Sequence, residues 1–129
     1  MPEKRLEAVV DGRRIVAINT WFSGERLEID GAVIAKANHG FNVQEDEPLL
    51  SAVVTGDSGL PLHVEVFIAA VLTVRMMIVV NGRYVAGDRM NDKEAAAGRR
   101  AEERLRAASS GGGGGTSVAV PAAVDRRRS

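Results

Sequence analysis

The chain has 129 residues, no cysteine, and 17 basic and 17 acidic residues, so its formal net charge is zero. This length suits one domain with a modest core. The charge balance gives no overall field that would attract nucleic acid or an anionic membrane, and the lack of cysteine excludes disulfides and thiolate metal sites. Because the first residues also lack the apolar segment of a secretory signal, we expect a cytoplasmic protein. We also expect no cofactor.

Three two-residue turn sequences divide residues 1–87 into β-hairpins. The pairs Asp11-Gly12, Asp30-Gly31 and Asn81-Gly82 stand between apolar stretches, and such pairs favour type I′ turns because both residues tolerate a positive φ. The sequence Gly56–Gly59 has the composition of a further turn. Turns at intervals of about 8 to 12 residues are typical of antiparallel folds. We therefore predict an all-β domain of seven or eight strands, either a small β-sandwich or a flattened barrel.

A turn at Ser23-Gly24 predicts how the second and third strands pair. With these two residues as the loop, Ile18 lies opposite Ile29, and both point into the core. The same register places Trp21 opposite Arg26 on the other face of the sheet. These two residues could form a cation–π pair that anchors a partner, or Trp21 could belong to the core.

The two neighbouring hairpins give different expectations. The turn at Asp30-Gly31 predicts a regular ladder in which Leu27 lies opposite Ile34. A two-residue loop in the first hairpin would place Val16 opposite Glu7, an apolar residue against a charged one. We therefore expect the first loop to be longer or bulged.

Residues 62–80 carry an apolar residue at every even position. A single strand of this length would measure about 60 Å, so the chain must turn near residues 68–72, through a connection of odd length or a bulge that keeps the even residues on one face. The odd face is also apolar at Val71, Met77 and Val79, and we expect a second copy of the chain to cover it. This predicts a homo-oligomer with these three as interaction residues. The short length and Arg75 argue against a membrane span.

The composition changes after Gly87. Residues 88–108 contain good helix formers, and Asn91 or Asp92 could cap a helix there. Since only alanines and Leu105 are apolar within residues 92–108, we expect such a helix to be solvated and frayed. Residues 109–129 include five consecutive glycines, which predict a disordered tail.

Two sequence resemblances concern the hairpins. Residues 27–35 resemble residues 78–86 within the chain. Residues 14–35, RIVAINTWFSGERLEIDGAVIA, resemble the opening module of the Fas apoptotic inhibitory molecule family, which also has a strand, a Ser-Gly turn, a basic residue, an apolar strand and an Asp-Gly hairpin; residues 74–86 are similar to its strand that ends in an Asn-Gly turn. The resemblance implies a compact, non-catalytic β-sandwich that works through protein contacts. That family has two such modules where this chain has one, and it lacks this tail.

Few residues in the chain could carry chemistry. His39 and His63 are the only histidines, and with Glu65 they could form a metal or acid–base cluster; the alternative is two unrelated surface histidines. We therefore predict a non-enzymatic β-sandwich module that acts through contact with a protein partner or with itself, and not with nucleic acid. Two alternatives stay open, a carrier of a small hydrophobic ligand and a metal-dependent hydrolase.

Overall fold

The computed structural model describes residues 3–20, 24–37, 47–70 and 73–110. Within them, eight strands form two four-stranded antiparallel sheets, and one helix follows. The first sheet consists of β1 (Glu3–Val10), β2 (Arg13–Thr20), β3 (Gly24–Ile29) and β4 (Ala32–Ala37). The second consists of β5 (Leu50–Thr55), β6 (Pro61–Ala70), β7 (Val74–Val80) and β8 (Arg83–Gly87), and helix α1 spans Asn91–Ser110. The predicted all-β antiparallel fold with a partly helical C-terminal segment is confirmed. The predicted disordered tail from residue 111 onward lies outside the described residues.

Both sheets keep their strands in chain order. They face each other so that β1 lies beside β8 and β4 beside β5. The space between them is filled by buried apolar side chains, namely Ile15, Ala17, Leu27 and Ile29 from the first sheet and Leu62, Val64, Val66, Met76, Ile78 and Val80 from the second. The described even-numbered residues Leu62, Val64, Val66, Met76, Ile78 and Val80 therefore share the core face, as predicted. They do so because Ala70 pairs with Val74, which leaves an odd-length connection at residues 71–73.

The three hairpin turns have the predicted conformation. Asp11 and Gly12 have φ values of 48° and 78°, Asp30 and Gly31 of 52° and 87°, and Asn81 and Gly82 of 52° and 81°. Both central residues of each turn are thus in the left-handed region, as a type I′ turn requires. The expectation of a longer or bulged first loop is wrong, because Val10 pairs with Arg13 and the ladder continues without interruption to Glu3 and Thr20.

The predicted register between β2 and β3 is also wrong. Thr20 pairs with Gly24, and Ile15, not Ile18, lies opposite Ile29. Gly24 belongs to the strand, with a φ of 84°, so the connection comprises residues 21–23 and not the pair Ser23-Gly24. Because the register changes by an odd number of residues, Ile18 points to the outer face.

A β-bulge stands at the same place in each sheet. Leu27 pairs with Ala35 but Glu28 pairs with Val33, so Ile34 is the extra residue, and the prediction that Leu27 lies opposite Ile34 is wrong. In the second sheet the pairing likewise shifts between Ile78 and Val79. The sequence resemblance between residues 27–35 and 78–86 thus corresponds to two hairpins with the same turn and the same bulge.

Helix α1 packs against the outer face of the second sheet, which corrects the expectation of a solvated helix. Ala96 and Ala97 are buried, and Ala97 belongs to an apolar cluster with Phe67, Met77, Val79 and Met90. Small residues make this packing possible. A Cβ added to Gly82 would lie 2.9 Å from the Cβ of Ala101 and 3.0 Å from the Cα of Gly98, so the β7–β8 turn and the helix approach each other closely. No helix within the described ranges combines the length and apolarity that a membrane crossing requires.

Candidate interaction face

The outer face of the first sheet carries its charges in rows that run across the strands. The pairing of β1 to β4 aligns one residue from each strand in a basic row, Arg5, Ile18, Arg26 and Lys36. The next row toward the Asp11 and Asp30 turns is acidic and consists of Glu7, Val16, Glu28 and Val33. Residues directly opposite in an antiparallel pair share a face, so both rows lie on the side away from the core. We call these eight residues the striped face.

Ion pairs connect the two rows along the strands. Arg26 Nε lies 3.0 Å from Glu28 Oε2, and Arg5 Nη2 lies 3.7 Å from Glu7 Oε1. Arg14, beyond the acidic row, places Nε 2.5 Å from Glu7 Oε2, and this hydrogen bond is the main reason that the pKa of Glu7 lies below its ordinary value. Because ion pairs between exposed side chains contribute little free energy, these groups can exchange partners at low cost.

The basic row places like charges next to each other at an open sheet edge. Arg26 lies directly opposite Lys36, and directly opposed like charges destabilise a sheet. For Lys36, no ion pair is found within the described parts of the chain. Among the described strands, β4 pairs only with β3, so no other described strand pairs with its second edge. A pair of directly opposed like charges at an exposed edge departs from the usual pattern of sheets, and such departures often mark a functional surface.

Exposed apolar side chains lie at the same edge. Val33 and Ile34 are each 48% exposed, whereas Val16 and Ile18 in the middle of the face are buried. Edge strands are usually protected by charge or by a bulge, and β4 has one charge, Lys36, and one bulge, at Ile34. The face therefore combines a buried apolar centre, charged rows and an exposed apolar margin at β4.

The structure separates the predicted interaction residues. Arg26 is on the outer face as predicted, but it lies opposite Ile18 and Lys36, not Trp21. Trp21, Val71 and His39 lie outside the described residues. Met77 and Val79 are fully buried beneath α1, so the cover that we expected from a second copy comes from the same chain. This removes both residues as contact points for a partner.

His63 and Glu65, two of the three residues of the predicted polar cluster, lie beside helix α1. Glu65 Oε2 accepts a hydrogen bond at 3.1 Å from Arg100 Nε, and the Glu65 side chain is only 8% exposed. Glu65 is therefore engaged in an ion pair that joins β6 to α1. His63 lies two residues earlier on the same face, and burial together with the positive charge of Arg104 lowers its pKa. Among the described residues, no three histidine, cysteine or acidic side chains converge in a way that could hold a metal ion.

The residues that sequence reasoning missed are Arg5, Glu7 and Lys36. Each is an ordinary charged residue on a strand, and only the pairing register brings it into line with Arg26 or Glu28. The register assumed for Ser23-Gly24 placed Ile18 in the core and so concealed the basic row. A three-residue connection, which Gly24 permits by adopting a positive φ inside the strand, would have revealed it.

Comparison of the chain with protein-family models, with curated proteins and with solved structures finds no match. The resemblance to the Fas apoptotic inhibitory molecule family therefore stays a prediction.

Proposed function

We propose that the chain is a non-enzymatic β-sandwich module that acts through protein–protein contact, with the striped face as its contact surface. The observation that carries this proposal is the junction of like charges at the end of the basic row, where Arg26 lies opposite Lys36 beside the edge of β4. A partner that places an acidic group there would relieve the repulsion. The proposal includes a cytoplasmic location, which the absence of cysteine supports.

The alternation of charge favours a protein over a nucleic acid as the partner. A polyanion requires a continuous positive surface along its backbone. On the striped face, each step of two residues along β1 or β3 reverses the sign, from Arg5 to Glu7 and from Arg26 to Glu28. A phosphate backbone laid along these strands would meet a carboxylate at every second row. A protein surface can match such a pattern residue by residue.

The two alternative functions find less support. A carrier would need room between the sheets, and that space is occupied by fully buried side chains such as Val64, Val66 and Ile78. A hydrolase would need Glu65 to act on water or a metal, but its carboxylate is paired with Arg100. We therefore favour a binding role.

The test is site-specific photocrosslinking in the native host. A photoreactive phenylalanine replaces Val33 on the striped face, and in a matched control it replaces Arg99, an exposed residue of α1. We expect a covalent protein adduct from position 33 and none from position 99. The same adducts from both positions, or none from position 33, would contradict the proposal.

A further inference from the structure

We propose that the partner of the striped face is a second copy of this chain, packed face to face, with the two-fold axis parallel to the charged rows. This inference rests on the proposed function and specifies the partner. It differs from the self-association predicted through Met77 and Val79, because those residues are buried under α1.

The symmetry of the pattern selects this arrangement. A two-fold axis that runs along the rows, between the basic and the acidic row, keeps each strand position but exchanges the two rows. Arg26 then faces the partner's Glu28, and Arg5 faces the partner's Glu7. Ile18 and Val16 in the centre of the face are already buried within one chain, so the charged residues of the two rows make the contacts. Each contact occurs twice, as in every isologous interface.

The other face-to-face arrangement is unfavourable. A two-fold axis parallel to the strands would place each row against the same row of the partner. Arg26 and Lys36 would then meet the partner's basic row. Like charges brought together at an interface suppress that mode of association. The charge pattern thus favours one orientation of two copies and opposes the other.

The edge of β4 also gains from this packing. Lys36 faces the partner's Val33, so its aliphatic stem can cover that exposed valine while its ammonium group remains in water. The partner's acidic row also brings Glu28 near the junction of Arg26 and Lys36, where the like charges meet. The dimer therefore adds a second carboxylate beside Arg26, which already pairs with Glu28 of its own chain.

A second copy matches this surface better than an acidic peptide does. The striped face contains three cations and two carboxylates, so a uniformly acidic segment would be repelled by Glu7 and Glu28. The chain as a whole is neutral, so no long-range repulsion opposes the approach of two copies.

The experiment reverses charges in trans. Sedimentation equilibrium of the full chain at low salt should give a concentration-dependent dimer, and the single variants Arg26→Glu and Glu28→Arg should each raise the dimer dissociation constant by about 10- to 100-fold. An equimolar mixture of the two variants should restore dimerisation, because the carboxylate introduced at position 26 of one chain then faces the guanidinium introduced at position 28 of the other. The double variant R26E/E28R should also dimerise, and Arg99→Glu on α1 serves as the control that leaves the constant unchanged.

A change of fold in one variant cannot mimic this result, because an intrachain defect is not repaired by mixing. A wild-type chain that stays monomeric at about millimolar concentration, a range where even weak complexes form, would overturn the inference. So would a mixture that stays monomeric. If position 33 crosslinks to a different protein while the wild type is monomeric, the second copy is the wrong partner and the contact function stands. If position 33 gives no adduct and the wild type is monomeric, both fail.

Discussion

Glu65 on β6 and Arg100 on α1 form an ion pair beneath the helix, with Arg100 Nε 3.1 Å from Glu65 Oε2. The guanidinium carbon of Arg100 lies 5.7 Å from the centroid of the Phe67 ring, so the same side chain also covers an aromatic ring of the sheet. Within the described chain, Glu65 Oε1 accepts no hydrogen bond. The carboxylate therefore depends on Arg100 for the compensation of its buried charge.

Removal of Arg100 should destabilise the protein strongly. In Arg100→Ala, Glu65 remains buried without its cation, and we expect a loss of about 3 kcal/mol in the free energy of unfolding. Urea denaturation followed by circular dichroism measures this value. Arg99→Ala removes a neighbouring but exposed arginine and should change stability by less than about 0.5 kcal/mol. Equal effects of the two substitutions would show that the buried pair contributes nothing.

Two glycines at the contact of helix and turn should respond oppositely to alanine. A Cβ on Gly98 would lie 3.7 Å from the carbonyl oxygen of Gly82, an ordinary contact distance, so Gly98→Ala should stabilise the protein by up to about 1 kcal/mol through its higher helix propensity. Gly82 has a φ of 81° and would place its Cβ against Ala101, so Gly82→Ala should cost about 1 to 3 kcal/mol. Thermal unfolding of both variants measures the two effects. If both substitutions shift the melting temperature in the same direction, the prediction is wrong.

His63 should make stability depend on pH. Its pKa lies below the ordinary value of 6.5, first because it is partly buried and second because Arg104 is positive. The unfolded chain therefore binds the proton more readily than the folded one. We expect the unfolding free energy to be highest above pH 6.5 and to fall as the pH drops from 6.5 toward the lowered pKa of His63.

Urea titrations between pH 7.5 and 5 measure this slope. The variant His63→Gln should lose it, while His39→Gln, which changes the other histidine, should keep it. A slope that survives in His63→Gln would assign the effect to another group.

The turns of the two sheets are joined by a hydrogen bond from Ser58 to Asp11. The Ser58 hydroxyl donates to Asp11 Oδ2 at 2.6 Å, and the backbone N–H of Asp57 donates to the Asp11 carbonyl at 2.8 Å. Asp11→Asn keeps a residue that tolerates positive φ but weakens the acceptor, and we expect it to cost about 1 kcal/mol, as should Ser58→Ala.

A double-mutant cycle isolates this contact. Because both single changes affect the same hydrogen bond, the double variant should cost less than the sum of the two by about 0.5 to 1 kcal/mol. Chemical denaturation gives all four values. Strict additivity would mean that the two turns do not stabilise each other.

The hairpins could be predicted because their information is local. Asn or Asp followed by Gly satisfies both positive φ values of a type I′ turn within two residues. The turns at Asp30-Gly31 and Asn81-Gly82 form as expected, and Asp11-Gly12 forms the same two-residue turn although we expected a longer or bulged loop there. The alternation in segment 62–80 likewise required an odd connection. These features depend on chain neighbours and not on the rest of the fold.

The striped face could not be predicted because register is not local. Whether Arg26 lies opposite Trp21 or Ile18 depends on the length of the connection at residues 21–23. Whether it lies opposite Ala35 or Lys36 depends on the bulge at Ile34. Neither feature has a distinctive sequence. The position of α1 escaped prediction for a different reason. Its contact with the sheet is made by alanines and a glycine, and a search for large apolar residues does not detect such a surface.

The two sheets share the same bulge and the same pairing of backbone positions, but their outer faces differ in polarity. By that pairing, Glu28 and Val33 in one half occupy the positions of Val79 and Tyr84 in the other. One exterior is lipophilic and sealed by the chain's own helix, while its counterpart is ionic and, among the residues that the structure describes, has no helix packed on it. A chain cut after Gly87 would consequently expose the lipophilic exterior to water and aggregate. The charged side chains Arg5 and Glu7 of the ionic exterior are exposed in the uncut chain.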